Sequence, residues 1–140
     1  MVAKRVQPYE LLIADDDDGF REALRLVLEP RFRLVEASCG EEAIKIVERH
    51  PVDLVLIDMH MRVLTGLETL RIVKTLRALL PCIIITANPT EQLRRDAAEA
   101  EAFTVLRKPV PRAELVATVA DALHRTYHDP DVNLHPGFDG

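Results

Sequence analysis

The sequence predicts an α/β domain: a doubly wound, five-stranded parallel sheet in the order 2-1-3-4-5, flanked by five helices. Three observations carry that prediction. Short apolar runs recur without strict alternation, as in central parallel strands whose two faces are both covered by helices. Each run is followed by a stretch that reads as a helix, and alternation of this kind calls for right-handed crossovers in an open sheet. Four of the runs stop on an acidic, hydroxyl or basic residue, at the strand ends where such sheets collect their chemistry.

The first strand is LLIA, residues 11–14, which runs straight into Asp15, Asp16, Asp17 and Asp18. Phe20, Ala23, Leu24, Val27 and Leu28 then give a helix that Pro30 ends. Asp17 or Asp18 can cap it, and acids in a first turn suit the helix dipole. Residues 32–37 form a shorter second strand. Ser38 with Glu41 reads as a capping box for a second helix with Ala43, Ile44 and Val47 on its apolar side, closed by His50 and Pro51. The third strand is VDLVLID, residues 52–58, ending on Asp58. After a loop to Gly66 comes a helix with Leu67, Leu70, Val73 and Leu76 on one side, then Pro81 and a fourth strand, residues 82–85, that ends at Thr86. Thr90 caps a charged fourth helix reaching about Ala100. Residues 103–106 form the fifth strand, followed by Arg107, Lys108 and Pro109. Pro111 fits the first turn of a last helix with Leu115, Val116, Val119, Ala120 and Leu123 as its apolar face. The domain so read covers residues 9–126, with an N-terminal extension at 1–8 and an aperiodic tail at 127–140 that is expected to be flexible.

A chain of 140 residues, 29% charged and 48% apolar, is long enough to bury about two thirds of its unfolded surface in a single domain. No apolar run nears the roughly 20 residues that span a bilayer. No apolar segment follows Lys4 and Arg5 either, so the expected location is the cytoplasm, with no membrane partner. A net charge of -5 without a basic stripe argues against direct nucleic-acid binding. Cys39 and Cys82 lie in unrelated contexts, which suits a reducing compartment, and Cys82 beside Ile83, Ile84 and Ile85 reads as a small core residue. His124 and His128, spaced like a helical metal pair, make a poor zinc site at a helix end.

In a parallel sheet all carboxyl ends point one way, and the order 2-1-3-4-5 puts the first and third strands side by side at the switch point. Asp15, Asp16, Asp58, Thr86 and Lys108 are therefore expected to converge. Three carboxylates about 5 Å apart repel by roughly 3 kcal/mol per pair at an effective dielectric near 20. Such a site either retains a proton or takes a hard divalent cation, and an oxygen-only set suits Mg2+, with Mn2+ as a substitute. Once that charge is neutralised, a phosphoryl group can approach. The cation is expected to cover one phosphoryl oxygen, the Lys108 ammonium a second, and the Thr86 hydroxyl with backbone N–H groups a third. Asp58 is then the nucleophile, forming an acyl phosphate.

These residues carry a resemblance. LLIADDDD with FREAL, GEEAI, PVDLVLIDMHM with Gly66 and Leu67, IIITA and RKPV together make the chain similar to the receiver domains of two-component response regulators, over residues 9–126. The resemblance implies a flavodoxin-like receiver fold with Asp58 as phosphoacceptor. It implies metal binding by Asp16 and, through water, by Asp15, with the backbone carbonyl of His60 as a further ligand. Thr86 becomes the phosphoryl-sensing hydroxyl and Lys108 the ion-pairing group, before a Pro109 that is typically cis. The implied partners are a sensor histidine kinase or a histidine phosphotransfer protein, and a downstream protein effector; a homodimer is a further option. The protein is then a switch that assists its own phosphorylation and dephosphorylation, not a turnover enzyme. The four-Asp run leaves a second register, Asp16 with Asp17, although a strand ending directly at Asp15 favours Asp15 with Asp16.

Three positions depart from the family pattern. Arg62 replaces a usual proline, so the loop after Asp58 loses a fixed φ. Glu101 stands where glycine is usual, so the turn there is either strained or rebuilt. Val105 replaces an aromatic residue that normally swings inward, and valine has a stiff χ1 and no ring. The signal is therefore expected to pass mainly through the Thr86 loop and the fourth helix. Two other readings compete. One is a receiver-like interaction module indifferent to phosphorylation. The other is a small Mg-dependent phosphatase with an Asp nucleophile, which would want a second Asp where His60 stands.

Overall fold

A computed structural model describes residues 8–132. The strands β1 (Glu10–Ala14), β2 (Arg33–Ala37), β3 (Leu54–Asp58), β4 (Cys82–Thr86) and β5 (Thr104–Arg107) alternate with the helices α1 (Asp18–Leu28), α2 (Gly40–Arg49), α3 (Gly66–Leu76), α4 (Glu91–Glu99) and α5 (Arg112–Tyr127). The strands form one sheet in the order β2-β1-β3-β4-β5, and every pairing is parallel. Both the order and the class agree with the expectation from sequence. Among the described residues, no helix is long and apolar enough to cross a membrane.

Two-sided burial explains the unbroken apolar strands. Successive side chains of a strand point to opposite faces. Leu12, Ala14, Val55, Ile57, Cys82 and Ile84 pack with α2, α3 and α4 through Ala43, Val47, Leu70, Val73, Leu93 and Ala97. Leu11, Ile13, Leu54, Leu56, Ile83 and Ile85 pack with α1 and α5 through Leu24, Leu28, Leu115, Val119 and Leu123. Each fully buried Leu or Ile contributes about 1.5–3 kcal/mol, so a polar residue at any of these central positions would be costly. Cys82 is one of the small residues of that packing, and burial pushes its thiol up to about 12.

The helix starts differ in part from the expected ones. Asp17 caps α1 through Gly19 and Phe20, and Thr90 caps α4 through Leu93. At α2, however, the cap residue is Cys39 and not Ser38, and Glu42 accepts the Ser38 N–H at 2.7 Å. The expected Ser38–Glu41 box is therefore not formed: the helix starts one residue later, from an extended Cys39 at φ -156 that makes no side-chain cap bond. A true capping box opens α3 instead, where Thr65 and Glu68 bond reciprocally. Pro111 is the cap of α5 rather than part of its first turn.

The end of the domain also lies further along than expected. Tyr127 is the last residue of α5, stacks on Tyr9, and donates its hydroxyl to the Asp53 carbonyl at 2.6 Å. His128 turns the chain at φ 54, Tyr9 donates to Asp129 at 2.7 Å, and Val132 is fully buried against the α1/α5 layer. The first part of the expected tail is thus packed on the domain. The remainder, 133–140, and positions 1–7 of the expected N-terminal extension lie outside the described residues.

Candidate functional site

Strand register builds the site. Ala14 pairs with Ile57, Asp58 with Ile85, and Thr86 with Arg107, so all four carboxyl ends finish at one level. Alternation then sorts the polar ends. Asp58 continues the parity of Leu54 and Leu56 towards the α1/α5 layer, while Thr86 continues that of Cys82 and Ile84 towards α4. The site therefore has an anionic half and a hydroxyl half, supplied by opposite faces of the sheet.

The anionic half is tightly tied. Asp15 is 1% exposed and Asp58 5%. The Lys108 ammonium lies 2.9 Å from Asp15 Oδ2 and 3.0 Å from Asp58 Oδ1, with the Phe20 ring centroid 4.0 Å away. Asp15 Oδ1 accepts the Asp17 N–H at 2.8 Å. Burial raises the Asp58 carboxyl above the usual carboxylate range; the Asp15 charge adds to this, while Lys108 and the His60 N–H oppose it. For Lys108, burial disfavours the ammonium, but hydrogen bonds and charge from Asp15 and Asp58 outweigh it and raise its pKa.

Asp16 is exposed, and Asp15, Asp16 and Asp58 each offer an oxygen within 4.8 Å of the others. Asp17 is occupied in capping α1, so the alternative Asp16 with Asp17 register has no support in the geometry. The donor set fits a hard divalent cation: it is all carboxylate, compact, and open to solvent on the Asp16 side.

The hydroxyl half is held more lightly. Thr86 is fully buried, and its Oγ1 lies 3.4 Å from His60 Nε2 and accepts the Asn88 N–H at 3.2 Å. Its carbonyl accepts the Lys108 N–H at 2.8 Å, so the backbones of the two halves are joined although the side chains are not. The Lys108–Pro109 peptide is cis. After Arg62 the loop makes a tight turn, in which the Leu64 N–H donates to the Arg62 carbonyl at 2.8 Å with Val63 at φ 68. The turn at Glu101 is not rebuilt. It keeps φ 65, a conformation costing a non-glycine residue about 1–2 kcal/mol.

Three contributors escaped the sequence reading. Phe20 was legible only as a core position, yet its ring supports Lys108. Arg21, in the same helical turn, donates to the Asp15 carbonyl. Gly66 approaches Asp58 so closely that an added Cβ would lie 2.4 Å from the Asp58 carbonyl oxygen. The last had a visible signal, a glycine opening a helix without serving as its cap.

Known proteins share this fold. The chain matches the response regulator receiver domain family over residues 11–120. It belongs to that family, and so to two-component phosphoacceptor signalling. It is 31% identical over 121 residues to the transcriptional regulatory protein GlrR of Escherichia coli (strain K12), covering 86% of this chain and 27% of that protein. It is 34% identical over 123 residues to the response regulator MprA of Mycobacterium sp. (strain KMS), covering 87% and 54%. The chain thus spans about half or less of these curated relatives. Among solved structures, the CheY-like receiver domain protein of Methanospirillum hungatei JF-1 superposes with a TM-score of 0.84 at 22% identity, covering 87% of this chain and 98% of that one. The CheX-CheY-BeF3-Mg+2 complex of Borrelia burgdorferi does so at 0.78 and 28% identity, covering 82% and 89%. Some relatives are transcriptional regulators by name, so the expectation of no direct nucleic-acid contact is confined to the receiver domain and does not extend to a longer protein.

Proposed function

We propose that Asp58 accepts a phosphoryl group from the phosphohistidine of a sensor histidine kinase or histidine phosphotransfer protein in the cytoplasm, and that the modified domain changes its affinity for a downstream effector. The observation that carries this reading is a buried Asp58 beside both a lysine and two further carboxylates. Asp15, Asp16, Asp58 and the His60 carbonyl would hold Mg2+, which supplies neutralisation of the acid cluster and of the incoming phosphoryl charge. The Borrelia structure, which holds BeF3 with Mg2+, supports that choice.

The protein's own groups account for the transfer. An Asp58 carboxylate oxygen forms the bond to phosphorus while the bond from phosphorus to the histidine nitrogen breaks, and the nitrogen keeps that electron pair. Lys108 is already at bonding distance from Asp58, so its ammonium can move onto a phosphoryl oxygen with little reorganisation. Thr86 exchanges its contact with His60 for the phosphoryl group, and that exchange pulls on the segment leading to α4. Asp58 is consumed and later restored by hydrolysis, so the domain is a switch and not a turnover enzyme. In a longer protein, relatives named as transcriptional regulators favour an output on DNA.

The test is intact-mass measurement after incubation with Mg2+ and acetyl phosphate. One labile phosphate adduct is expected, absent from Asp58→Asn. Rapid multiple turnover would instead indicate a phosphatase, and no adduct with either Mg2+ or Mn2+ would indicate an interaction module.

A further inference from the structure

Four consecutive aspartates lead from β1 into α1, and each answers a different demand. Asp15 holds Lys108, Asp16 stands exposed at the acid cluster, Asp17 caps the helix, and Asp18 pairs with Arg21. Arg21 is itself only 14% exposed. Its guanidinium donates in three directions: from Nη1 to the backbone carbonyl of Asp15, from Nη2 to the Asp18 carboxylate, and from Nε to Glu36 Oε1 at 2.9 Å. Glu36 lies on β2 in register with Ile13 and is also bound by Arg25.

The carbonyl of Asp15 belongs to the peptide that joins Asp15 to Asp16. Fixing it fixes the peptide plane that sets both carboxylates, that of Asp15 on the Lys108 ammonium and that of the exposed Asp16 with an oxygen within 4.8 Å of Asp15 and Asp58. We propose that Arg21 is a positioning residue for metal binding: its planar fork anchors the Asp15–Asp16 peptide to β2 so that both carboxylates face Asp58. This rests on the reading of Asp15, Asp16 and Asp58 as the metal site.

Charge and position make opposite demands here, which gives the idea a sign. A guanidinium near the cluster repels a divalent cation, so by charge alone its removal should tighten binding. As an orienting group it strengthens binding, and loss of partners that orient metal ligands costs roughly 10–100-fold in affinity. Lysine keeps the charge but cannot reproduce a planar three-way fork.

The experiment is calorimetric titration of Mg2+ into the full chain and into Arg21→Ala and Arg21→Lys, with urea unfolding of each in EDTA. Roughly tenfold or weaker binding is expected for both variants, beyond any change in metal-free stability. Tighter binding by Arg21→Ala would show a charge effect, and unchanged affinity with lowered stability would show a merely structural role; either overturns the proposal. Should Arg21→Ala fail to fold, Glu36→Gln weakens the anchor while keeping the arginine, and is expected to bind Mg2+ more weakly; unchanged affinity there would count equally against it. Absence of Mg2+ binding by the unaltered chain would overturn the metal reading itself, a result distinct from all of these.

Discussion

The two halves of the site differ in how firmly they are held. On the α1/α5 side, buried Asp15 and Asp58 are joined to a half-buried Lys108 by ion pairs of 2.9 and 3.0 Å, whereas Thr86 on the α4 side has a 3.4 Å contact to His60 and one backbone donor. Under the proposed phosphotransfer, the groups that receive charge are pre-positioned, because reorganising them during transfer would add to the barrier. Thr86, the group proposed to report the event, is held by contacts weak enough to exchange. The same division continues outwards: Gly66 and Arg21 brace the anionic half, while α4 buries only Leu93 and Ala97.

The largest test of this contrast is Gly66→Ala. The added Cβ would meet backbone atoms, the Asp58 carbonyl oxygen at 2.4 Å and Met59 Cα at 2.8 Å, so the chain after Asp58 must shift. A stability loss of about 3 kcal/mol in urea unfolding is expected, together with a lower yield of phosphate adduct. Full retention of both would mean that the anionic half is less rigid than its contacts indicate.

An intermediate effect is expected from pH. Burial raises the Asp58 carboxyl in the folded state, so its protonated form favours folding. That contribution is fully present below the unfolded carboxylate pKa, near 3.9, and is lost as pH rises through the higher folded value. In EDTA, Asp58→Asn should therefore gain stability relative to the unaltered protein as pH rises through that window, then level off. The opposite slope in urea unfolding would show that Lys108 more than compensates the buried charge.

The smallest effect concerns the reporting half. Val105 lies against the α2/α3/α4 layer at 9% exposure and has no ring to move. If the signal passes through Thr86 and α4, Val105→Tyr should change phosphorylation-dependent partner affinity or dimerisation by less than about twofold, within the few tenths of a kcal/mol of a neutral substitution. A large gain, measured by titration calorimetry or analytical ultracentrifugation, would mean that the missing aromatic limits the output.

Much of this was legible beforehand. VDLVLID announced a two-sided strand and its acidic end, and the four polar strand ends named Asp15, Asp16, Asp58, Thr86 and Lys108 without any local motif. What failed was local and geometric. Ser38 carried a good capping pattern one residue too early, while Thr65 and Glu68 formed a box that passed unnoticed inside a loop. Val132 belonged to a stretch without periodicity, yet it is fully buried.

The sequence by itself determined the strand and helix alternation, the sheet order and the identity of the polar strand ends. Side-chain periods of two and 3.6 residues record which face each position must bury, and burial dominates the energy of such a fold. Only the tertiary structure decided that Asp17 is a cap and Asp16 the exposed member of the acid cluster, that Thr86 faces His60 across the sheet from Lys108, and that Arg21 and Gly66 brace the acids. Those choices depend on distances of a few ångström between residues far apart in the chain, which hydrophobic periodicity does not encode.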